Sequence, residues 1–357
     1  MKKRILLILA LALVLGFGGC GNRDGESGNS TRPGEEGGDT GQSQAEAQTA
    51  DGRTVYPVTL TDQLGRRVTI EKKPETIASG YYISTSLLLA LDLQDKIVGV
   101  EAKADKRAIY RLGAPALLEL PGIGTAKEFD LEGCAALHPD LVIVPARLKD
   151  VIPSMEELGL TVIAINPENR ELLEEAAVLL GAASGKNLLA EELLQYTADK
   201  LGILEDALAG TRQPTVYLAS NSSLLSAAGS SMYQNSIIEN AGGLNVAAEL
   251  EGDYWREVSY EQILAWDPEY IILAADASYT VESVLEDPAL ADCRAVTDGN
   301  VYRFPGTVES WDSPVPGGVL GSLWLASVLH PGEYPEEEWK KAAVEFYETF
   351  YRFTPLF

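Results

Sequence analysis

Cysteine, histidine and positive charge are all scarce in this chain of 357 residues. It has 3 cysteines and 2 histidines, and 28 Lys and Arg stand against 53 Asp and Glu, a formal charge of −25. So few thiols exclude a disulfide-built scaffold: beyond Cys20, Cys134 and Cys293 allow at most one bridge, and their contexts favour two separate buried thiols. His138 and His330 each precede a proline, sit at element ends and form no cluster, which argues for structural roles and against a bare-metal site. The deficit of cations disfavours nucleic acid and anionic lipid surfaces as partners, and makes any Arg or Lys in a cleft conspicuous. Catalytic signatures are thin as well. No Gly-x-Ser-x-Gly elbow or His-Glu-x-x-His pair occurs. Gly181 to Asn187 is one residue short of a phosphate loop and ends in Asn where Ser or Thr would hold magnesium, so it reads as a turn between helices. Gly122-Ile123-Gly124 lacks the third glycine of a dinucleotide loop.

What is present begins with Met1-Lys2-Lys3-Arg4 and the apolar run Ile5 to Val14, too short for a comfortable membrane span. A basic start, a short apolar core and small residues before a cut describe a secretory signal over residues 1–19. The stretch resembles a bacterial lipoprotein signal, matching at Gly18, Gly19 and Cys20 and departing at Phe17, where Leu is usual. The resemblance implies acylation of Cys20, with simple secretion as the alternative. Loss of Lys2, Lys3 and Arg4 with the signal takes the charge from −25 to −28. Residues 20–52 are rich in Gly, Ser, Glu, Gln and Thr with almost no large apolar side chain, and cannot bury enough surface to offset chain entropy. They read as a flexible tether to a folded body of about 300 residues.

The body is organised around the run from Lys186 to Ala209. Leu189, Leu193, Tyr196, Leu201, Leu204 and Leu208 recur at helical spacing, with Glu191, Glu192, Gln195, Asp199 and Asp206 on the opposite arc. A helix of about 24 residues spans roughly 35 Å, enough to brace two small lobes. On its N-terminal side, a hairpin over 55–61 and 66–70 leads to short apolar runs at 76–78, 97–100, 141–144 and 162–165. Helical stretches fall between and after them, one near 84–91 that Ser84 or Thr85 can cap and one at 171–180. The second half repeats the plan with runs at 216–219, 270–273 and 301–304 and helices near 234–240, 318–329 and 336–352. Alternation of this kind predicts an α/β fold of two doubly wound lobes joined by one long rigid helix, with a ligand cleft between them. The expected boundaries are 53–185 for the N-terminal lobe, 186–209 for the connecting helix and 210–357 for the C-terminal lobe.

One internal match sharpens the duplication. Glu132 and Glu261, Leu137 and Trp266, Pro139 and Pro268, and Asp140 and Glu269 share a single offset of 129 residues. Each set describes a short helix with an early Glu, ending before a Pro-acid pair that enters a buried strand. A lone Glu there is most often a solvated helix-start carboxylate favoured by the helix dipole. Paired glutamates on two lobes are instead placed to meet a two-fold partner.

These residues are similar to the substrate-binding proteins of importers for iron-siderophores, haem and cobalamin. The resemblance rests on Asp130-Leu131-Glu132 with Leu137 to Ile143, on Val258 to Leu264 with Pro268, and on Gly242-Gly243-Leu244-Asn245-Val246, and it covers roughly residues 54–329. It implies two lobes on one long helix with modest hinge motion, and a monomer that hands a bound chelate to a membrane permease dimer driven by a separate ATPase. It implies further that Glu132 and Glu261 meet arginines of that permease, and it implies no enzyme activity and no cofactor. By position, the candidate ligand-binding residues are Tyr81, Tyr82, Lys127 and Arg147 from the first half and Asn221, Trp255, Arg256, Ser310, Trp311 and Asp312 from the second. Aromatic rings offer flat contact to a chelate or macrocycle, and cations pair with its carboxylate or catecholate charge. Trp255 and Trp311 as packing residues, and Arg147 as a surface charge, are the bland alternatives. The Pro/Gly-rich loop Trp311 to Gly321 is more like iron-complex members than the cobalamin branch, which favours a ferric chelate, with haem or a corrinoid as alternatives. A secreted enzyme or a structural lipoprotein is the competing class.

Overall fold

The computed structural model of the chain describes residues 49–50, 53–252 and 254–357. The leader, Cys20 and the tether up to residue 48 lie outside the described residues. Thr49–Ala50 pairs antiparallel with Arg53–Thr54, so the ordered ladder begins a few residues before the expected end of the tether. Among the described residues, no helix is long and apolar enough to cross a membrane.

The hairpin forms from Val58–Thr61 and Arg67–Ile70, with alternate residues Val58, Leu60, Val68 and Ile70 buried. A four-stranded parallel sheet follows, in the order Ile97–Gly99, Ile77–Ser79, Leu141–Pro145, Val162–Ile165. Leu141–Pro145 and Val162–Ile165 are buried at every position, as parallel strands covered on both faces require. The second sheet is centred on Thr215–Ala219, which is flanked in parallel by Tyr270–Leu273 and Leu244–Asn245, with Val301–Arg303 beyond Tyr270–Leu273. Ser226–Ala227 and Arg256–Glu257 extend its other edge antiparallel. In sequence, the helix Asn187–Leu208 links the two sheets. Leu193, Leu204 and Leu208 are buried on it, while Glu191, Glu192, Gln195, Asp199 and Asp206 face solvent.

The expected elements match to within a few residues, with one difference in chemistry. The helix after the first strand runs Tyr82–Ala90, starts at an extended Tyr81 and has no side-chain cap. Ser84 and Thr85 lie inside it, and their hydroxyls bond back to the Tyr81 carbonyl at 2.7 and 3.2 Å. Burial explains the difference, because both hydroxyls are fully enclosed and need internal acceptors.

The sequence repeat has a structural counterpart. His138 and Asp267, again 129 apart, both close their helices in the left-handed region, with φ of 48° and 43°. The acids that follow make the same clamp. Asp140 Oδ2 accepts the backbone N–H groups of Glu75 and Thr76 at 2.9 and 3.2 Å, and Glu269 Oε2 accepts that of Thr215 at 2.9 Å. The N–H of each acid donates in turn to the threonine hydroxyl, Thr76 at 2.9 Å and Thr215 at 3.0 Å. Lys72 and Arg212 pair with the two carboxylates at 2.9 and 2.6 Å and hold both ionised. The central strand of each sheet is thereby fixed at its entry to the strand beside it.

The glycines of the Gly-Gly-x-Asn segment have a direct cause. Gly242 ends the helix Tyr233–Asn240 at a φ of 72°, and a Cβ on Gly243 would stand 3.0 Å from Ile238 and 3.1 Å from Val216. Asn245 then bonds to the Ala228 carbonyl and to Asn235, both at 3.0 Å. Cys134 and Cys293 are both free and buried, and burial pushes the Cys134 thiol up to about 11.

The chain end returns to the first half. Arg352 pairs with Asp92 at 2.9 Å, and Tyr351 Oη donates to the Ser86 carbonyl at 3.1 Å. The last helix, Glu336–Phe350, lies along the linking helix, where Tyr196 Oη donates to the Ala342 carbonyl at 2.7 Å and Lys200 pairs with Glu345 at 2.7 Å.

If the acid clamps act as described, Asp140→Ala and Glu269→Ala each lower the unfolding free energy by about 1–2 kcal/mol, measured by urea titration at neutral pH. Two variants indistinguishable from wild type would remove the clamps from the stability of the sheets.

Candidate ligand-binding cleft

Ligands of α/β folds collect where loops leave the carboxyl ends of strands. Here such loops from the two sheets face each other across a cleft of about 370 Å³. Seven of the ten candidate residues line it: Tyr81, Tyr82 and Arg147 from the first half, and Asn221, Trp255, Ser310 and Asp312 from the second. The Tyr81 and Tyr82 rings meet edge to face with centroids 5.2 Å apart. Burial pushes the Tyr82 phenol up to about 12 and raises Tyr81 further still, so both present O–H donors at any ordinary pH. Arg147, about half exposed, lies 3.6 Å from Glu168. Ser310 donates to Asp276 at 2.9 Å, and Asp312 accepts the Ala275 N–H at 3.3 Å. Asp312 is almost fully enclosed, and burial pushes its carboxyl up to about 6.

Three candidates do not line the cleft. Lys127 is exposed on a turn closed by the Thr125 hydroxyl, which accepts its N–H at 3.2 Å. Arg256 is exposed on the edge strand Arg256–Glu257. Trp311 is buried to 1 % exposure, donating through Nε1 to Tyr347 Oη at 2.8 Å and meeting Trp339 edge to face at 5.6 Å. The aromatic face of the last helix gives this indole both an apolar bed and the acceptor its N–H needs, and so turns it into the core.

Glu168, Tyr233, Gln234, Tyr254 and Asp276, none of them among the ten sequence candidates, also line the cleft. For Glu168 and Asp276 a signal was available: both follow the carboxyl end of a parallel strand, Val162–Ile165 and Tyr270–Leu273. Tyr233 and Gln234 open a helix instead, and their approach depends on how it packs. The Tyr233 N–H donates to the Glu168 carbonyl at 3.1 Å, a direct bond between the two halves, and Gln234 donates to the Asp312 carbonyl at 2.8 Å.

A second hollow of about 220 Å³ adjoins the first and shares Tyr82, Asp276, Ser310 and Ser313 with it. It holds Lys106, Arg107 and Arg111 on one side and Glu309 on the other. Arg107 stands over the Tyr82 ring, 4.2 Å from its centroid. Glu309 accepts the Ser86 hydroxyl through one oxygen, and its other oxygen is buried with no hydrogen-bond partner. Burial pushes this carboxyl up to about 7.

Glu132 and Glu261 lie away from this cleft lining. Each is exposed in the first turn of a short helix, Leu131–Ala136 and Tyr260–Trp266, whose N-caps Asp130 and Ser259 accept the N–H groups of Gly133 and Gln262. Among the described residues, no group of three or more His, Cys, Asp or Glu side chains is disposed to hold a metal ion.

Residues 77–308 match the periplasmic binding protein family. The chain belongs to that family. The binding protein is 27% identical over 321 residues to the molybdate-binding protein MolA of Haemophilus influenzae, covering 82% of this chain and 90% of MolA. The molybdate-bound MolA structure superposes with a TM-score of 0.71 at 26% identity, over 84% of this chain and 99% of that one. A periplasmic solute binding protein of Veillonella parvula gives a TM-score of 0.73 at 28% identity, over 84% of this chain and 94% of that one. An uncharacterised ABC transporter substrate-binding lipoprotein of Bacillus subtilis, YvrC, is 24% identical over 94% of this chain and all of its own length. The binding protein is therefore an extracytoplasmic solute receptor of the kind that serves ABC importers.

The Glu309 carboxyl gives a pH test with a defined sign. Its folded pKa of about 7 lies above the ordinary 4.5, so the folded state holds a proton that the unfolded chain releases between those values, and stability falls as pH rises across that window. Glu309→Gln mimics the protonated acid, so its stability relative to wild type should grow by on the order of 2 kcal/mol from pH 4.5 to 7.5 in thermal melts. A difference that stays flat with pH removes Glu309 as the source.

Proposed function

We propose that this binding protein captures a ferric chelate, a ferric siderophore above all, and delivers it without chemistry to an ABC permease dimer with its ATPase. The observation that carries this reading is the make-up of the cleft. Tyr81, Tyr82, Tyr254 and Trp255 supply flat apolar contact, Asn221, Gln234 and Ser310 supply neutral polar groups, and Arg147 supplies a cation. Its volume of about 370 Å³ falls within the range of about 300–1,000 Å³ usual for small-molecule sites. Arg256, Lys127 and Trp311 have no part in first contact on this reading.

A second reading, capture of a tetrahedral oxyanion, is supported by the likeness to MolA. The cleft argues against it on size and charge, because Glu168, Asp276 and Asp312 share the lining with a single Arg. Haem and corrinoids remain the bulkier alternatives within the same receptor role.

In this proposal residues 53–185 and 210–357 act as the two lobes and 186–209 as their connecting helix. The monomeric body is held to the membrane by acylated Cys20 through the tether 20–52, once the signal 1–19 is removed. Glu132 and Glu261 are the permease-docking knobs. Their exposure at matching positions in the two halves supports this role.

Titration of the purified body with ferrioxamine B, ferric citrate, haemin, cyanocobalamin and molybdate tests the ligand class. A ferric chelate should quench Trp fluorescence and raise the melting temperature, by the equivalent of about 2.7 kcal/mol at a hundred times Kd. Trp255→Phe should remove most of the quench while the thermal shift persists. A response to molybdate alone would establish the oxyanion reading instead. For docking, Glu132→Ala with Glu261→Ala should leave Kd within about twofold and abolish uptake in proteoliposomes holding the cognate permease; undiminished uptake would release both residues from that role.

A further inference from the structure

The two adjoining hollows divide the charge of the cleft unevenly. The larger carries most of the aromatic surface and one cation, Arg147, which is already within 3.6 Å of Glu168. The smaller carries Lys106, Arg107 and Arg111 from one short stretch, in a protein whose formal charge is −25. Two of those cations are engaged locally: Lys106 stands 3.5 Å from Asp105, and Arg111 donates to the Asp105 carbonyl at 2.7 Å. Arg107 makes no direct ion pair among the described residues. Its planar fork is half-buried over Tyr82, at the junction of the two hollows.

The acids on the opposite wall are bonded by hydroxyls. Asp276 is bonded by Ser310 and Glu309 by Ser86, and neither makes a direct ion pair with Arg107; burial raises the Glu309 pKa to about 7, and the Arg107 charge draws it down. A guanidinium left in this setting is built to receive a planar anion in bidentate fashion.

From this we infer that the smaller hollow is a subsite for a pendant carboxylate of the ligand, with Arg107 as its principal contact and Lys106 as a second cation. The inference rests on the chelate reading above and narrows it. A tris-catecholate concentrates its negative charge around the metal, and the carboxylates Glu168, Asp276 and Asp312 make the larger hollow a poor host for such a core. A plain hydroxamate chelate has no anionic arm and would leave Arg107 unanswered. A chelate built on carboxylate arms suits both hollows at once: its body lies against Tyr81, Tyr82 and Trp255, and an arm passes Tyr82 to reach the guanidinium.

Isothermal titration of the wild-type body, Arg107→Gln, Arg107→Lys and Lys106→Gln with three probes tests this. The probes are ferric citrate, ferrioxamine B, which has no carboxylate, and iron-free citrate. Arg107→Gln should weaken ferric citrate by roughly 10–100-fold and leave ferrioxamine B within about threefold, with Arg107→Lys recovering part of the loss. Lys106 is exposed, so Lys106→Gln leaves the fold intact and should give a smaller loss in the same direction. Equal effects on ferric citrate and ferrioxamine B, or no effect on either, overturn the subsite while sparing the chelate reading. Binding of iron-free citrate that is lost in Arg107→Gln, without binding of any ferric chelate, keeps the subsite and overturns the chelate reading. Silence with all three probes overturns both.

Discussion

One buried carboxylate fixes the first-half wall of the cleft. Glu101 accepts the Thr85 hydroxyl through one oxygen and the Tyr110 hydroxyl through the other, each at 2.7 Å. Thr85 belongs to the helix Tyr82–Ala90 and Tyr110 to the helix Ala108–Gly113, so one side chain ties together three segments separate in sequence. The Thr85 hydroxyl also lies 2.8 Å from that of Ser79, at the end of the first strand. Burial raises the Glu101 pKa, and the two hydroxyls offset only part of that rise. Leaving either lone pair empty in this enclosed setting would cost far more than either bond contributes, so the network holds as a unit.

The same economy recurs around the smaller hollow, whereas in the larger one Glu168 is paired with Arg147. Glu101, Glu309 and Asp276 are partnered by Thr, Tyr and Ser hydroxyls, not by cations. A carboxylate neutralised by a fixed Arg would consume the charge a ligand needs. Hydroxyl partners hold these acids without a cation and leave Arg107 available above Tyr82. Away from the cleft the opposite choice is made: Asp140 and Glu269, which clamp strand ends, are paired with Lys72 and Arg212.

Much of the fold was legible because its signals are local. Apolar runs bounded by turn residues predicted the parallel strands, and the 129-residue offset marked helix, proline and acid in both halves. The cleft was partly legible by rule, since Tyr81, Asn221 and Ser310 all follow strands at their carboxyl ends. Side-chain direction was not. Trp311 and Asp312 are neighbours on one loop, yet one enters the core against Tyr347 and the other lines the cleft. The Arg107 hollow was invisible for a further reason. Its cations lie beyond the strand Ile97–Gly99 on two short helical segments that the apolar runs do not mark, and its far wall comes from residues 306–315 of the other half. Only the closure of one half on the other brings them together.

The return of the chain end to the first half constrains how this receptor works. Arg352 on Asp92 and Tyr351 on Ser86 add a second strap to the one provided by the linking helix, and both must be accommodated whenever the jaws part. A body laced twice along its spine breathes rather than gapes. On the proposed carrier reading, two such ties would favour small displacements near the mouth over wide parting of the halves.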